Sequence, residues 1–283
     1  MEPDPALGAV KTYRYLRVAL VALVVLLFAA VALEWWATGR SCVQGSISAY
    51  FHTPVQAVFV GVLVTMGVCL IALKGNTEAE DILLNIAGML APGVAFVPTA
   101  EVGACRSVPF VVADVPARVA NNMQALFVAG ALVGLAVFAI ARREAAGGGL
   151  GRWERLGLVG TVLLLGGGAA WFYVDRELFL SLAHGFAAVP MFLCIIAVIW
   201  LNGRDAQQSV RAGAAPAANV RYVAAYRGIS TAMLVALVVT VVVSLATRSS
   251  SLVLWVEVVL ITLFAVFWVV QTAELWSKGL RRG

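Results

Sequence analysis

Residues 252–275, LVLWVEVVLITLFAVFWVVQTAEL, hold no basic residue and a single carboxylate, Glu257, among long apolar side chains until Gln271 and Glu274 near the end. A stretch of this length matches the roughly 20 residues that a helix needs to cross a hydrocarbon layer about 30 Å thick while bonding its own backbone. Similar runs recur at about 15–36, 54–73, 82–99, 121–141, 155–174, 178–201 and 228–246. The alternating ten-residue pattern of barrel strands is absent. Composition agrees, with 62% of the chain hydrophobic and 12% charged, against roughly a quarter charged in a soluble domain. The expected fold is therefore all-α, a polytopic transmembrane bundle of about eight spans forming one domain over residues 1–283.

The third run is the shortest, and it carries Asn85 with Pro92 and Pro98. Omitting it would put the flanking loops on the wrong sides of the membrane. The first run reads as a retained helix rather than a signal peptide. It exceeds an ordinary h-region, follows acidic Glu2 and Asp4, and lacks a small-x-small site before Glu34.

Orientation follows from Lys and Arg, which cytoplasmic connections retain. With the amino terminus inside, fifteen basic residues fall on the cytoplasmic side, among them Lys11, Arg14, Arg17, Arg142, Arg152 and Arg227; five fall outside, Arg40, Arg106, Arg118, Arg176 and Arg248. Both termini are then cytoplasmic. The same asymmetry accounts for the basic balance without a nucleic-acid partner, leaving membrane lipids as the expected contacts and the oligomeric state open. Trp35, Trp36, Trp171, Tyr173 and Trp255 near one boundary, with Tyr13, Trp153, Trp200, Tyr222, Tyr226 and Trp276 near the other, read as interfacial anchors. The Ala, Gly, Val and Arg bias favours a bacterial cytoplasmic membrane.

The connections near 142–154 and 203–227 are rich in Gly, Ala and Arg and read as linkers. Two longer outer loops hold Cys42 and Cys105, the one intramolecular pairing open to outer cysteines on the oxidising side. Spacing leaves open whether they are bonded. Cys69 and Cys194 fall inside spans as packing residues.

SISAYFHTP, residues 46–54, leads from the first outer loop into the second span. Thr53 suits a cap and Pro54 a first helical position, which leaves Ser46, Ser48, Tyr50 and His52 to be explained. Glu34 ends the first span, Asp175 joins the fifth to the sixth, and His184 and Glu257 sit about six and five residues into theirs. At 1.5 Å per residue both lie roughly 8–9 Å below the outer boundary. Ionisable groups at that depth face the bundle interior, a partner or a watery cavity. One reading is an outward-facing polar pocket that binds a lipid or other amphiphile through His52, His184 and Glu257, with Ser48, Tyr50, Glu34 and Asp175 contributing. The other is a packing hydrogen bond between His184 and Glu257, with the loop hydroxyls capping and solvated. A second set, Lys74, Glu78, Glu80 and Asp81 with Gln271 and Glu274, reads as interfacial solvation and pairing with arginines.

Walker A, G-x-S-x-G, HEXXH and paired C-x-x-C patterns are absent. At Ile47-Ser48, Pro54 and Phe59, with the following VFVGVLVTMGVCLIAL, about 40 residues resemble the damage-regulated autophagy modulator family and related bacterial membrane proteins of unknown function. That family has six spans and an acidic residue after the serine, where this chain has Ala49. The resemblance implies a multispanning helical protein and assigns no activity. A looser likeness is to the alkaline ceramidase and adiponectin-receptor superfamily, whose zinc site is built from several histidines. It implies an alternative, a zinc-dependent intramembrane hydrolase of a lipid amide or ester. With no H-x-x-x-H pair and two histidines in all, His52 and His184 would need a carboxylate such as Glu257 or Asp175 to complete the ligand set. No cofactor is expected otherwise. A third alternative, a small-molecule transporter, draws on Pro92 and Pro190 as helix breaks; no internal repeat accompanies them.

Overall fold

The computed structural model describes residues 5–40, 43–99, 115–144, 151–213, 219–246 and 251–276. Among them are eight helices: α1 (Pro5–Ala37), α2 (Gln56–Ala72), α3 (Glu78–Phe96), α4 (Val115–Glu144), α5 (Arg152–Val174), α6 (Arg176–Arg211), α7 (Val220–Ala246) and α8 (Ser251–Glu274). Seven are long and apolar enough to cross a membrane, and α2 is an apolar helix of 17 residues, at the short end of the spanning range. The chain is a multi-pass, all-α membrane protein. Cys42 and Cys105, and with them the pairing considered above, lie outside the described residues.

Six helices close into a ring. α1 packs on α2, α2 on α3, α3 on α6, α6 on α7, α7 on α8, and α8 returns to α1. The α4–α5 pair lies outside this ring against α3 and α6, and Leu132, Leu135, Val162 and Leu163 on it stay exposed, the surface a hydrocarbon solvent covers. α3 has the lowest hydropathy of the spanning helices and the largest share of buried residues. Its polar content is tolerated because protein, not lipid, surrounds it. Pro92 sits inside α3 without ending it.

Close approach within the ring depends on glycine at one crossing. A Cβ on Gly67 of α2 would meet the carbonyl oxygen of Gly88 at 2.6 Å, and a Cβ on Gly88 of α3 would meet that of Gly67 at 2.6 Å. The two backbones touch where neither residue has a side chain, the small-residue packing that serves in place of a hydrophobic drive between helices in lipid.

Both ends of the described chain meet. Arg14 donates to the backbone oxygen of Trp276 and stacks over its ring, 4.6 Å from the centroid. The contact puts both ends on one side of the bundle, as an even number of spans would. The end carrying Arg14, Arg142, Arg152 and Arg227 is called the basic end below, and the opposite end, expected to face outward from the charge count, the outer end.

Several expected interfacial residues sit elsewhere. Tyr226 is fully buried and donates to Glu274 Oε2 at 2.6 Å, joining α7 to α8, so it is not an interfacial anchor. Arg17 is buried as well rather than solvated among the surface cations. α6 runs ten residues past its expected end, because Asn202, Gly203 and Ala206 stay buried against neighbouring helices beyond the apolar run.

Candidate functional site

The outer end of the ring is organised by residues 44–53. Ser48–His52 forms one 3₁₀ turn, and the hydroxyls of Ser46, Ser48 and Thr99 make a closed triangle, with Ser48 Oγ 2.6 Å and Ser46 Oγ 3.1 Å from Thr99 Oγ1 and 3.2 Å between the serines. Each hydroxyl is both donor and acceptor, so a three-membered set satisfies itself. The backbone N–H of Ala49 adds a bond to Ser46 Oγ. Thr53 donates to the Tyr50 carbonyl at 2.7 Å and accepts from Val55 N–H at 3.2 Å, a turn two residues long rather than a cap on α2, which begins at Gln56.

Two imidazoles hold the segment after α3. His52 Nε2 lies 3.0 Å from the Thr99 carbonyl and His184 Nδ1 2.8 Å from that of Val97. A carbonyl only accepts, so each of these nitrogens carries the proton. The Val94 backbone also lies within hydrogen-bonding reach of the His184 ring. On the other side of the ring Glu257 Oε2 accepts from Ile47 N–H at 2.6 Å, and the Gly45 carbonyl accepts from Leu254 N–H at 3.1 Å. These bonds fasten the loop to α8. Glu257 has no ion-pair partner among the described residues.

Below this roof lies a cavity of about 90 Å³ inside the ring. Its polar lining is Ser48, His184 and Glu257; the rest is apolar, from Leu27, Ile47 and Phe59 through Met66, Leu70 and Val94 to Met191, Ile195, Ile261 and Phe264. That is room for several water-sized groups. No Lys or Arg lines it.

The other expected contributors do not line it. His52 is edge-on to Phe51, 5.6 Å between ring centroids, and is committed to Thr99. Tyr50 is buried in the loop, and burial raises its phenol above the ordinary range, keeping it neutral. Glu34 is half-buried at the end of α1. Asp175 is exposed and caps α6, accepting from Leu178 N–H at 3.0 Å. No bond joins His184 to Glu257; each is tied to backbone instead. Among the described residues no three His, Cys, Asp or Glu side chains gather as a metal-ligand group.

The basic end of the same ring holds a second polar set. Glu80 is 1% exposed; its Oε2 accepts from the backbone N–H of Asn76 at 2.7 Å and from its Nδ2 at 3.1 Å, while Oε1 accepts from Asn202 Nδ2 at 3.1 Å. Asn202 Oδ1 in turn accepts from Gln271 Nε2 at 2.9 Å and Asn76 Nδ2 at 3.2 Å. Asn202 is fully buried and serves as the hub between α3, α6 and α8. Glu80 and Gln271 are therefore interior residues rather than solvated interfacial ones. Asp81, half-buried, pairs with the exposed Lys74 at 3.5 Å rather than with an arginine.

The hub and the Val97 and Thr99 acceptors are the residues that sequence reasoning missed. Asn202 follows Trp200-Leu201 where the apolar run stops, and Val97 and Thr99 act through backbone oxygen, which leaves no trace in residue type. No family model, curated protein or solved structure matches the chain.

Proposed function

We propose that the protein binds an amphiphile, with the polar end of the ligand at Ser48, His184 and Glu257 and its chain among the apolar residues beneath. The observation that supports this is the cavity itself: a carboxyl group, an imidazole and a hydroxyl line one space whose wall is otherwise apolar. A ligand pocket is mostly apolar with a few polar groups that fix orientation. Ionisable groups at this depth carry a solvation cost that a bare packing role leaves unreturned.

The test is lipid co-purification from the membrane in which the chain is expressed, read by mass spectrometry of the extracted ligand. The wild-type chain is expected to retain an amphiphile that falls by about tenfold, roughly 1.4 kcal/mol, in His184→Ala and Glu257→Gln. An unchanged bound profile in both variants would remove the site.

A carrier reading has one observation in its favour. Asn202 lies about five turns below His184 on α6, and Gln271 about four turns below Glu257 on α8, so each helix turns one face to the polar group at both ends of the ring. Flux of an amphiphile between leaflets of proteoliposomes, absent from empty vesicles, would support carriage over static binding. The membrane we assign is a bacterial cytoplasmic one, on the composition and the charge asymmetry already described.

A further inference from the structure

We infer that the ligand's polar end is a hydrogen-bond donor carrying positive charge: the cavity is built for a single-chain amphiphile with a primary ammonium head. The inference rests on the amphiphile reading above and adds the chemistry of the head group.

Around the cavity, acceptors outnumber free donors. Glu257 brings two acceptor oxygens, one of them engaged by Ile47 N–H at 2.6 Å. His184 has its Nδ1 proton directed at the Val97 carbonyl, with the Val94 backbone also beside the ring, so it brings no free charged donor. Ser48 Oγ is engaged by Thr99 and Ser46. The side chains at the roof thus present acceptors, and no charged donor answers them, because neither Lys nor Arg lines the space. An ammonium has three donors and no acceptor, the complement of such a roof. A charge-assisted bond to a carboxylate is about twice as strong as a neutral one, and an ammonium beside Glu257, which has no ion-pair partner among the described residues, would hold its carboxyl in the ionised form.

Anionic heads meet the opposite situation. A phosphate or carboxylate would lie beside the carboxyl oxygens of Glu257 in an apolar surround with no Lys or Arg to answer its charge, and an unanswered charge in such a place opposes binding. The cavity, about 90 Å³, has room for the head and the first carbons of one chain beside Phe59, Met66, Ile195 and Phe264, and none for a second chain.

The experiment uses the full chain in nanodiscs of uncharged lipid, with dodecylamine bearing a diazirine near the end of its chain as the probe. Capture after illumination is read from intact-protein mass, and dodecylamine, dodecanol and dodecyl phosphate compete, each scaled by its own membrane partitioning. Dodecylamine is expected to displace the probe at a concentration about tenfold or more below that needed for dodecyl phosphate, with dodecanol between them. Glu257→Gln keeps the acceptor for Ile47 N–H and is expected to bring the three competitors together. A phosphate that competes as well as the amine on the wild-type chain would overturn the inference, and that comparison needs no variant. So would an amine preference that persists in Glu257→Gln. Failure of the underlying reading looks different: the probe is then captured no better by the wild-type chain than by bystander membrane protein, and none of the competitors changes its yield.

Discussion

Alanine at position 80 is expected to destabilise the protein by about 2–3 kcal/mol, because it leaves one fully buried donor and two half-buried ones without their acceptor, a buried one being worth about 1–3 kcal/mol. Those donors are the backbone N–H and Nδ2 of Asn76 and the Nδ2 of Asn202. The loss spreads further, since Asn202 also receives Gln271 from α8 and so connects three helices of the ring. Glu80→Gln is expected to retain about half of that stability, as one amide oxygen replaces two carboxylate oxygens while the new NH₂ enters a region already rich in donors. Lys74→Ala, which removes the mostly exposed partner of Asp81, should change stability by less than about 1 kcal/mol. Equilibrium unfolding in a mixed-micelle denaturant series measures all three. A Glu80→Ala variant as stable as Lys74→Ala would mean that the network is decoration on a ring held by packing alone.

Substitution at the α2–α3 crossing should be the next most damaging change. A methyl on Gly67 or Gly88 lies 2.6 Å from the carbonyl of the other residue, and neither atom is the end of a flexible side chain. The helices must move apart, and forced expansion of a packed contact costs about 1–3 kcal/mol. The displacement reaches the cavity too, because Met66 and Ala91, neighbours of the crossing, line it. Gly67→Ala and Gly88→Ala are therefore expected to lower the unfolding midpoint and weaken ligand retention together. Gly134→Ala on α4 has nothing within 4 Å of its added methyl and serves as the comparison, expected to be neutral or slightly stabilising through helix propensity. Wild-type thermal stability in both crossing variants would contradict the observed approach of the two backbones.

Much of this architecture was legible because hydrocarbon imposes a length on apolar runs. All eight apolar runs are helices, seven of them long enough to cross a membrane, and the contact of Arg14 with Trp276 puts both ends of the described chain on one side. What composition could not convey was the ring. Runs of similar hydropathy gave no sign that α4 and α5 stand outside while α3, the least apolar, sits inside. Their exposed valines and leucines look in sequence like those of any other span. Glu257 and His184 were readable as interior residues, since hydrocarbon makes an outward-facing charge costly. Asp175 invited the same treatment, yet it lies at a helix start, and a carboxylate two residues ahead of a turn has a sufficient role in capping. Asn202 shows the complementary failure. It sits just past an apolar run, where a polar residue ordinarily meets water, and only the meeting of α3, α6 and α8 makes it the centre of a buried network.

The most direct test of the interior site maps where a bound amphiphile touches the chain. Two dodecylamine probes, one with its diazirine beside the head and one with it near the chain end, would be crosslinked in nanodiscs and the modified residues identified by peptide sequencing. The account predicts head-end adducts around residues 44–48, His184 and Glu257, and chain-end adducts on Met66, Met191 or Phe264 within the ring. Adducts concentrated on lipid-facing positions such as Leu132 and Leu163, with the ring interior unmodified by either probe, would contradict it.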